Sequence, residues 1–386
     1  MRAASASTIT ADGYRAGCEL AEPLRAAAPE VILLFASIDY QPEFPDLVAG
    51  LTETLGRTDV LIIGGTGDGI YETGRVAHRG VCALGLHSEG KLQWTVAVEK
   101  GVAANSFAAA QGCARRALAS LGGAAQFAFV LADGVKADGT GIVAGLASVL
   151  DIPFFGGLAG DDRKFARSCL VVGGEVMEDA VAVLAARGEL AFAVNAASGW
   201  TPVGQVGSLE QCNHNLIQRI GGMTAEEFLR EQLGKNPSEV DLGIVPLAVY
   251  ETAGEEHFAL RTPSRIDPAS GALTMFGSIP AGAPVRVCTA SRAEVLAGVE
   301  AALTGVRQPP LAAAAAVIVV SCAGRKWLLE DQTKEEVERV FAAIGRRLPL
   351  IGFPSFGEIG PFRKADGSYT SCRFHNVTYV VCLLGT

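Results

Sequence analysis

The chain has 386 residues, of which 49% are apolar and 19% are charged. This balance is typical of a globular protein and excludes an intrinsically disordered one. The formal net charge is −9, and no cluster of lysine and arginine occurs, which excludes a nucleic-acid-binding surface. The length corresponds to about two to three domains, each large enough to hold its own core.

Nine cysteines are scattered along the chain, and no two of them form a CxxC pair. The sequence therefore supports neither a zinc ribbon nor a disulfide framework, and free thiols are typical of a reducing compartment. The N-terminal residues 1–17 lack the apolar segment of a secretory signal, and the longest apolar run, residues 311–323, is too short to span a bilayer. We expect a cytoplasmic protein of bacterial type with no membrane partner.

A strand–helix–strand pattern occurs three times, in residues 31–68, 127–162 and 317–358. In each copy an apolar strand leads through a polar loop into a helix. A second apolar run then ends in glycine, and an acidic residue follows. The first strand starts 33, 29 and 35 positions before the first glycine of that second run. Such matched spacing indicates a structural repeat.

The helices of the copies have the expected period. In residues 44–56 and 335–347 the apolar side chains recur on one face, as an amphipathic helix requires. Three pairs of a threonine or serine with a glutamate three residues later predict capping boxes at helix starts. These pairs are Thr224 with Glu227, Ser291 with Glu294, and Thr333 with Glu336.

Further apolar runs predict many additional strands, one of them directly after each copy, at residues 80–86, 168–174 and 374–384. The fold class is therefore α/β (mixed α+β), with mixed sheets covered by helices and part of the sheet antiparallel. We predict an N-terminal extension (residues 1–27) and two packed domains (28–205 and 206–386).

Several segments match a known family. The C-terminal half contains GWTPVG (199–204), GGMTAEEFL (221–229), SCAGR (321–325), FGEIGPF (356–362) and FHN (374–376). The N-terminal half contains VILLFAS (31–37), IIGGTGDGI (62–70) and FFGGLAGDD (154–162). With these motifs the chain resembles the FIST proteins, which have an N-terminal FIST domain followed by a C-terminal one. The resemblance covers nearly the whole chain after about residue 28.

The resemblance implies a sensory module that binds a small ligand. Amino acids are the ligand class suggested for the family, and some bacterial members resemble haem-based nitric-oxide sensors. We expect the output to pass to a separate signalling protein, such as a histidine kinase. The first glycine loop departs from the family pattern, because Gly65 stands where a cysteine is usual and the acidic residue, Asp68, is displaced. What Gly64–Asp68 would bind stays open.

The loop Phe356–Gly357–Glu358 is the first candidate for ligand contact. A carboxylate beside glycine at a strand end can be approached closely, and it would hold an ammonium or guanidinium group. Arg325, just past another apolar strand, could bind a ligand carboxylate through two hydrogen bonds. Together the two side chains would clamp both ends of an amino acid. The alternative is that Glu358 caps a backbone amide or pairs with Arg325.

The glycine loop of the second copy is a further candidate. Gly156 and Gly157 precede Asp161 and Asp162, and this acidic pair could bind a cation or act in acid–base chemistry. The alternative is a solvated or capping pair. Neither glycine loop has a dinucleotide or P-loop pattern, and the acids would repel phosphate. We therefore do not expect a nucleotide, and no metal site is predicted.

Cys322, His375 and Asn376 complete the candidate ligand-binding residues. Cys322 ends a strand, and Arg325 could lower its pKa, which would suit a cysteine-dependent hydrolase; the alternative is a small core side chain. His375 is the best candidate for an axial ligand of non-covalent haem, and the absence of CxxCH excludes covalent haem.

We therefore expect a ligand-binding sensor without chemistry of its own and without a cofactor. The alternatives are a haem-dependent gas sensor, an enzyme that uses Cys322 or Glu358, and a scaffold that only recruits a partner protein.

Overall fold

A computed structural model describes residues 1–238, 241–252, 254–307 and 314–386. Residues 311–313 of the long apolar run lie outside the described residues. Within the described part, no helix is long and apolar enough to cross a membrane. The chain forms three similar units and one inserted sheet.

Unit 1 has two helices and six strands, in the order β1 (Arg2–Thr8), α1 (Gly13–Leu24), β2 (Val31–Ser37), α2 (Phe44–Leu55), β3 (Leu61–Gly67), β4 (Ile70–Glu72), β5 (Arg75–Ala77) and β6 (Val81–His87).

Unit 2 repeats this order, as β7 (Leu92–Lys100), α3 (Val102–Leu121), β8 (Phe127–Ala132), α4 (Gly139–Ala147), β9 (Phe155–Leu158), β10 (Leu170–Val172), β11 (Glu175–Met177) and β12 (Ala180–Gly188).

Unit 3 begins with β13 (Ala191–Ala197), which is followed by the inserted sheet. The insertion comprises β14 (Thr201–Asn213), β15 (Leu216–Ile220), β16 (Met223–Thr224), α5 (Ala225–Leu233), β17 (Leu247–Val249), β18 (Ala259–Arg261), β19 (Pro263–Ile266), β20 (Leu273–Met275) and β21 (Pro284–Thr289). Its strands pair in the order β18-β17-β21-β14-β15-β20-β19, with β16 on β15.

After the insertion unit 3 resumes with the order of the other two units, apart from one additional short helix, α7. Its elements are α6 (Arg292–Val306), β22 (Ala314–Cys322), α7 (Ala323–Leu329), α8 (Lys334–Ile344), β23 (Leu350–Ser355), β24 (Glu358–Gly360), β25 (Arg373–His375) and β26 (Tyr379–Gly385). The predicted repeat is confirmed, since its three copies are the β2-α2-β3, β8-α4-β9 and β22-α8-β23 segments.

Each unit builds a sheet around one parallel pair: β2 with β3, β8 with β9, and β22 with β23. The last strand of the unit pairs with this parallel pair in antiparallel fashion, and the first strand of the unit then pairs with the last one, as in the order β1-β6-β2-β3. The mixed α/β fold class and the antiparallel share of the sheets are thereby confirmed.

The short hairpin of each unit pairs with the sheet of another unit. Hairpin β4-β5 joins β23 of unit 3, hairpin β10-β11 joins β3 of unit 1, and hairpin β24-β25 joins β9 of unit 2. The exchange closes a ring, so each of the three sheets contains strands from two units. No unit can satisfy the backbone hydrogen bonds of its own sheet edge alone.

Side chains of the central strands alternate between two kinds of core. Phe35, Phe129 and Phe353 point inwards, where the three sheets share one core; the ring centroid of Phe35 lies 6.2 Å from that of Phe129 and 4.3 Å from that of Phe353. Their neighbours on the strands, such as Leu34 and Val130, pack outwards under the helices of their own unit. The central strands are therefore buried on both faces, which explains their nearly continuous apolar sequence.

Two of the three predicted capping boxes form. Thr224 with Glu227 opens α5, and Ser291 with Glu294 opens α6. The third prediction is wrong, because Glu336 turns away from Thr333 and forms a buried ion pair with Arg325.

The domain boundaries predicted at residues 27 and 205 remain predictions. In the structure, β1 of the predicted extension pairs with β6, and β13, before residue 205, pairs with β26 at the far end of the chain. Strand pairing thus crosses both positions.

Glycine is required for the same structural reason in all three copies of the repeat. Gly64, Gly156 and Gly352 occupy equivalent positions in the parallel pairs, opposite Leu34, Val130 and Val319 respectively. A Cβ at any of the three would collide with the carbonyl oxygen of the residue opposite. Glycine lets the two parallel strands approach at this point.

Gly64→Ala is expected to lower the free energy of unfolding by about 3 kcal/mol, because the backbone atoms it would strike cannot move aside without disturbing the sheet. Urea denaturation followed by tryptophan fluorescence measures this. Gly74→Ala is the matched control: its Cβ would meet Glu72 Oε2 at an ordinary 3.5 Å, so a change within about 0.5 kcal/mol is expected. Equal losses in the two variants would contradict the explanation.

Candidate ligand-binding site

A cavity of about 340 Å³ lies where the carboxyl ends of β22 and β23 meet the inserted sheet. Unit 3 contributes the residues around Cys322, Ser355 and Asn376 to its wall, the inserted sheet contributes residues 262–265, and unit 2 contributes its loop after β9. Ligands commonly bind outside the carboxyl ends of parallel strands and between packed segments. The cavity is in such a place.

Cys322 ends β22 and exposes only 6% of its surface, at the cavity wall. Its Sγ accepts a hydrogen bond from the Gly324 amide at 3.4 Å. Burial, and next the neighbouring Glu358 carboxylate, raise the pKa of the Cys322 thiol well above its ordinary value. The thiol is therefore protonated at neutral pH, the opposite of the lowered pKa that the proximity of Arg325 in sequence predicts.

Glu358 is fully buried behind Cys322 and Ser355. Its Oε1 accepts a hydrogen bond from Ser355 Oγ at 2.6 Å, and its Oε2 accepts from the amide and hydroxyl of Thr378 at 3.0 and 2.8 Å. Burial raises the pKa of Glu358 to about 7, although these hydrogen bonds act in the other direction. The carboxyl group thus supports the wall of the cavity from behind.

Aromatic rings form one side of the cavity. The ring centroid of Phe165 lies 4.5 Å from that of Phe356 and 5.1 Å from that of Phe276, and both pairs are stacked. Phe165 and Trp327 expose 43% and 40% of their surfaces, although large aromatic side chains are usually more buried. A flat apolar group could cover these faces.

Arg163 is a half-buried cation at this wall, and Arg265 of the inserted sheet is a second, exposed one. The guanidinium group of Arg163 lies over the ring of Trp327, an arrangement that is attractive by itself. Within the described residues, no carboxylate lies within ion-pair distance of Arg163. Burial lowers the pKa of Arg163 from its ordinary value, while Asp68 and other nearby groups act to raise it. Arg163 is therefore a half-buried cation without an ionic partner.

The loop after β9 is held in shape by Asp161. Its carboxylate accepts hydrogen bonds from the amides of Phe165, Ala166 and Arg167 at 2.7–2.9 Å. Three non-glycine residues of this loop, Asp162, Arg163 and Phe165, have φ angles of 59°, 60° and 49°, a region that non-glycine residues rarely adopt. The network around Asp161 fixes a costly backbone shape that brings Arg163 and Phe165 to the cavity.

All three units meet beside the cavity. Lys326 of unit 3 donates a hydrogen bond to the Asp68 carbonyl oxygen of unit 1 and lies 3.7 Å from the Asp162 carboxylate of unit 2. Asp68 Oδ1 accepts from the Asp162 amide at 2.8 Å, whereas its buried Oδ2 has no partner among the described residues. Burial raises the pKa of Asp68 to about 7.

Comparison with protein families now assigns the chain. The family of the FIST N domain matches residues 30–223, and that of the FIST C domain matches residues 225–361. The chain belongs to the FIST family. FIST domains are sensory domains for small ligands, so the protein has a sensory or signal-transduction role.

Solved structures give weaker similarities to this FIST protein. A cyanuric acid hydrolase from A. caulinodans has 10% identity and a TM-score of 0.38, with 100% of this chain and 99% of that chain covered. Another cyanuric acid hydrolase has 12% identity and a TM-score of 0.30, with coverages of 75% and 100%. A chorismatase has 12% identity and a TM-score of 0.35, with coverages of 100% and 98%. A comparison with curated proteins gave no match.

The expected clamp of Glu358 and Arg325 is wrong for this FIST protein. Arg325 is fully buried, and its Nε lies 2.8 Å from Glu336 Oε1. Its other nitrogens donate to the carbonyl oxygens of Ser198 and Val295. Arg325 therefore ties α7 to α8 and α6, and Glu358 has the alternative role in which a carboxylate caps a backbone amide.

The two residues of the FHN motif have different positions. Asn376 lines the cavity; its Oδ1 accepts from the Thr262 amide at 3.1 Å and so joins unit 3 to the inserted sheet. His375 is fully buried away from the cavity wall, with Nε2 3.1 Å from the Gly360 carbonyl oxygen. Burial lowers the pKa of His375 to about 3. It is not placed to hold a haem iron at this cavity, and its predicted role in ligand contact is wrong.

The glycine loops serve mainly to join strands. Gly156 and Gly157 of β9 pair with Ile359 and Glu358 of β24, so the structure does bring the two predicted loops together. Gly357 packs against Phe374, where a Cβ would collide. Of the predicted ligand-binding residues, Cys322, Phe356 and Asn376 line the cavity.

Asp161 and Asp162 do not act as a pair. Asp161 is buried and caps its own loop, whereas Asp162 is half exposed near Lys326. Within the described part of the chain, no group of acidic, histidine and cysteine side chains has the arrangement of a metal site.

Sequence reasoning missed Arg163, Phe165, Phe276 and Trp327. The signal for Phe165 was present, because a lone phenylalanine in the charged segment DDRKFAR has no apolar neighbours to bury it. The stacking partner Phe276 comes from the inserted sheet, and nothing in the local sequence indicates that contact.

Glu336→Gln is expected to lower the free energy of unfolding by about 3–5 kcal/mol, because it leaves the buried Arg325 charge without its partner. Thermal or urea unfolding measures the loss. The control is Glu300→Gln, which removes the partner of Arg339 in a more exposed pair; its cost is expected to stay below about 1 kcal/mol. A small effect of Glu336→Gln would contradict the structural role given to Arg325.

The raised pKa of Asp68 predicts a pH dependence of stability. Between its ordinary pKa of 3.8 and its folded pKa of about 7, the folded state binds more protons than the unfolded state. Asp68 therefore makes stability fall as the pH rises through this window, by at most about 4 kcal/mol. Glu358 acts in the same direction, and His375, with its lowered pKa, in the opposite one.

Asp68→Asn removes this titration and is expected to reduce the decline in melting temperature between pH 5 and pH 8. The contributions of Glu358 and His375 are common to variant and parent, and they cancel in the comparison. The exposed Asp331→Asn serves as the control and should leave the pH profile unchanged. An unaltered profile for Asp68→Asn would show that Asp68 has an ordinary pKa in the folded protein.

Proposed function

We propose that this FIST protein senses a small carboxylate, amino acids included, bound in the cavity of about 340 Å³. The observation that carries the proposal is Arg163, a cation without an ionic partner beside exposed aromatic rings at a cavity wall. A guanidinium group binds a carboxylate through two parallel hydrogen bonds, which are stronger than those between neutral groups.

The aromatic wall supports a ligand with a flat or apolar body. Phe165, Phe356 and Trp327 place aromatic carbon next to Arg163, so a ligand could bury its apolar part against them while its carboxylate meets the guanidinium group. The volume lies within the range of small-molecule sites, about 300–1,000 Å³. These features fit an aromatic or large aliphatic amino acid, or the corresponding acid without the amino group.

The ammonium group of an amino acid contributes less under this proposal. Within the described residues, the cavity wall contains no aspartate or glutamate, because Glu358 lies behind it. We infer that the carboxylate and the apolar body supply most of the affinity. The ligand would thus be recognised through its carboxylate end, and not through both ends as in the expected clamp of Glu358 and Arg325.

Transmission of the signal is part of the proposal. A ligand in the cavity would touch the loop of unit 2, the inserted sheet and the strand ends of unit 3 together, and it would stabilise the arrangement in which they are close. We propose that a separate signalling protein, such as a histidine kinase, reads this arrangement in the cytoplasm. Nine free cysteines support a reducing compartment.

We further propose that the protein binds its ligand without catalysing a reaction. The thiol of Cys322 is protonated, and both oxygens of the neighbouring Glu358 already accept hydrogen bonds from Ser355 and Thr378. A nucleophilic cysteine needs a lowered pKa or a base that is free to take its proton.

A thermal-unfolding screen with three matched compounds tests the ligand class: phenylalanine, 3-phenylpropionate and 2-phenylethylamine. The two carboxylates are expected to raise the melting temperature, because ligand at 100 times its dissociation constant adds about 2.7 kcal/mol. The amine, which lacks the carboxylate, is expected to have no effect. An equal shift with the amine would contradict recognition through Arg163.

Arg163→Gln is expected to weaken binding of the carboxylates by about 10- to 100-fold, the equivalent of one charged hydrogen-bonding partner. Lys164→Gln, at the exposed next position of the same loop, is the control and should bind like the parent protein. Unchanged affinity in Arg163→Gln would remove the observation on which the proposal rests.

A further inference from the structure

A second and larger cavity, of about 560 Å³, lies on the other side of the inserted sheet. Its wall is formed by α4 of unit 2, by β17 and β18, by residues 280–283 and by β25. Much of the lining is apolar, including Val143, Val249 and Phe374. Two arginines, Arg261 and Arg373, belong to the same wall, although they expose only 5% and 8% of their surfaces.

Arg261 is a buried cation whose partners are all neutral. Its Nε donates to the Ser278 carbonyl oxygen, its Nη1 donates to those of Leu260 and Phe374, and its Nη2 donates to Thr140 Oγ1. An arginine side chain has five N–H donors, so one N–H of Nη2 is left without a partner among the described residues. Within the described residues, no carboxylate is within ion-pair distance of this side chain.

The acidic groups around the cavity are already occupied. Asp138 is linked to Arg261 only indirectly, through Ser278 and Thr140. Its carboxylate accepts hydrogen bonds from the backbone amides of Thr140, Gly141 and Ser278 and from the Ser278 hydroxyl. Glu251 and Glu255 both pair with Nη2 of Arg373, at 2.9 and 2.7 Å. Of the two arginines at this cavity, Arg373 has carboxylate partners, whereas Arg261 has none within ion-pair distance among the described residues.

A second polar group at the cavity has no partner. The buried Nε of Arg373 makes no hydrogen bond among the described residues. A buried charge without a direct counter-ion is costly, and proteins usually pair such a charge or let a ligand neutralise it. Burial lowers the pKa of Arg261 to about 10, so the side chain is still charged at neutral pH.

We propose that this second cavity binds a small monocarboxylate with an apolar body, its carboxylate on the free Nη2–H of Arg261. Val143 and Phe374 would cover the apolar part, as a site with few polar groups and an apolar wall requires. Glu251, exposed at the same wall, would repel a second negative charge, so the site favours a monoanion over a dianion. The inference does not depend on the function proposed for the first cavity.

Isothermal titration of the full chain with hexanoate, and with 1-hexanol and inorganic phosphate as comparisons, tests the site. Saturable binding of hexanoate, with at least tenfold weaker binding of hexanol and of phosphate, is the expected result. Absence of saturable hexanoate binding, or tighter binding of phosphate, would overturn the proposal.

Two variants locate the binding without depending on a buried arginine. Ala147→Phe places a large side chain at an exposed position of the cavity wall on α4 and leaves both arginines in place. The titration is made in the Arg163→Gln background, because the first cavity is also proposed to bind aliphatic acids. In that background a saturable hexanoate site should remain, and adding Ala147→Phe should weaken it at least tenfold. Loss of all saturable hexanoate binding in Arg163→Gln alone would place the ligand in the first cavity and overturn this inference, while the function proposed above would stand.

Arg261→Met is the direct variant, and its folding is checked by its melting profile. If it folds when combined with Arg163→Gln, the double variant should lose hexanoate binding, and retained binding would count against the proposal. If it does not fold, the Ala147→Phe result decides.

Discussion

The exchange of hairpins between the three units is the constraint on which the rest of the structure depends. The parallel pair in each unit ends at an edge strand whose backbone groups need a partner, and a hairpin from another unit supplies it. Because the three exchanges close a ring, the units fold as one body around a common core. The ring also sets where the loops after the parallel strands can go.

The cavity follows from this exchange. The hairpin β24-β25 carries Glu358 and Asn376 from unit 3 across to β9 of unit 2, next to the loop that carries Arg163. Asp68 of unit 1 reaches the same place and bonds to the backbone of Asp162. Side chains from three distant parts of the sequence therefore meet because their strands share sheets. Fixed polar networks around Asp161 and Glu358 then hold the wall in one shape.

The inserted sheet completes the two cavities, which the three units alone do not enclose. It lies over the carboxyl ends of β22 and β23 and forms a wall of both cavities. Residues at the end of β18 are divided between them, since Arg261 faces the larger cavity and Thr262 the smaller one. Each cavity therefore lies at a contact between the insertion and the units, and a ligand in either one would bear on the position of the inserted sheet.

Much of the fold can be predicted from the sequence, because it depends on local patterns. The apolar runs, the helix periods and the spacing to Gly64, Gly156 and Gly352 give the three copies correctly. The hairpin exchange could not be predicted in this way, since it involves strands of about three residues that pair with partners far away in the chain. Short strands have little periodicity of their own.

The site was only partly predictable for the same reason. Cys322 and Phe356 could be found because they end or follow apolar strands, and Asn376 because it belongs to the FHN motif of the family resemblance. Arg325 was misjudged, since the sequence does not show that Glu336, eleven positions later, turns into the core to meet it. Arg163 and Phe165 depend on a loop shape that a buried aspartate imposes, and that shape is a tertiary effect.

A ligand in the first cavity would lie between the loop of unit 2, the inserted sheet and the strand ends of unit 3. Hydrogen–deuterium exchange of the full chain, with and without saturating 3-phenylpropionate, tests this position. Slower exchange is expected in residues 161–167, 242–244 and 322–327, with little change in α1 and α2 of unit 1. Protection confined to other segments, or no protection at saturating ligand, would contradict it.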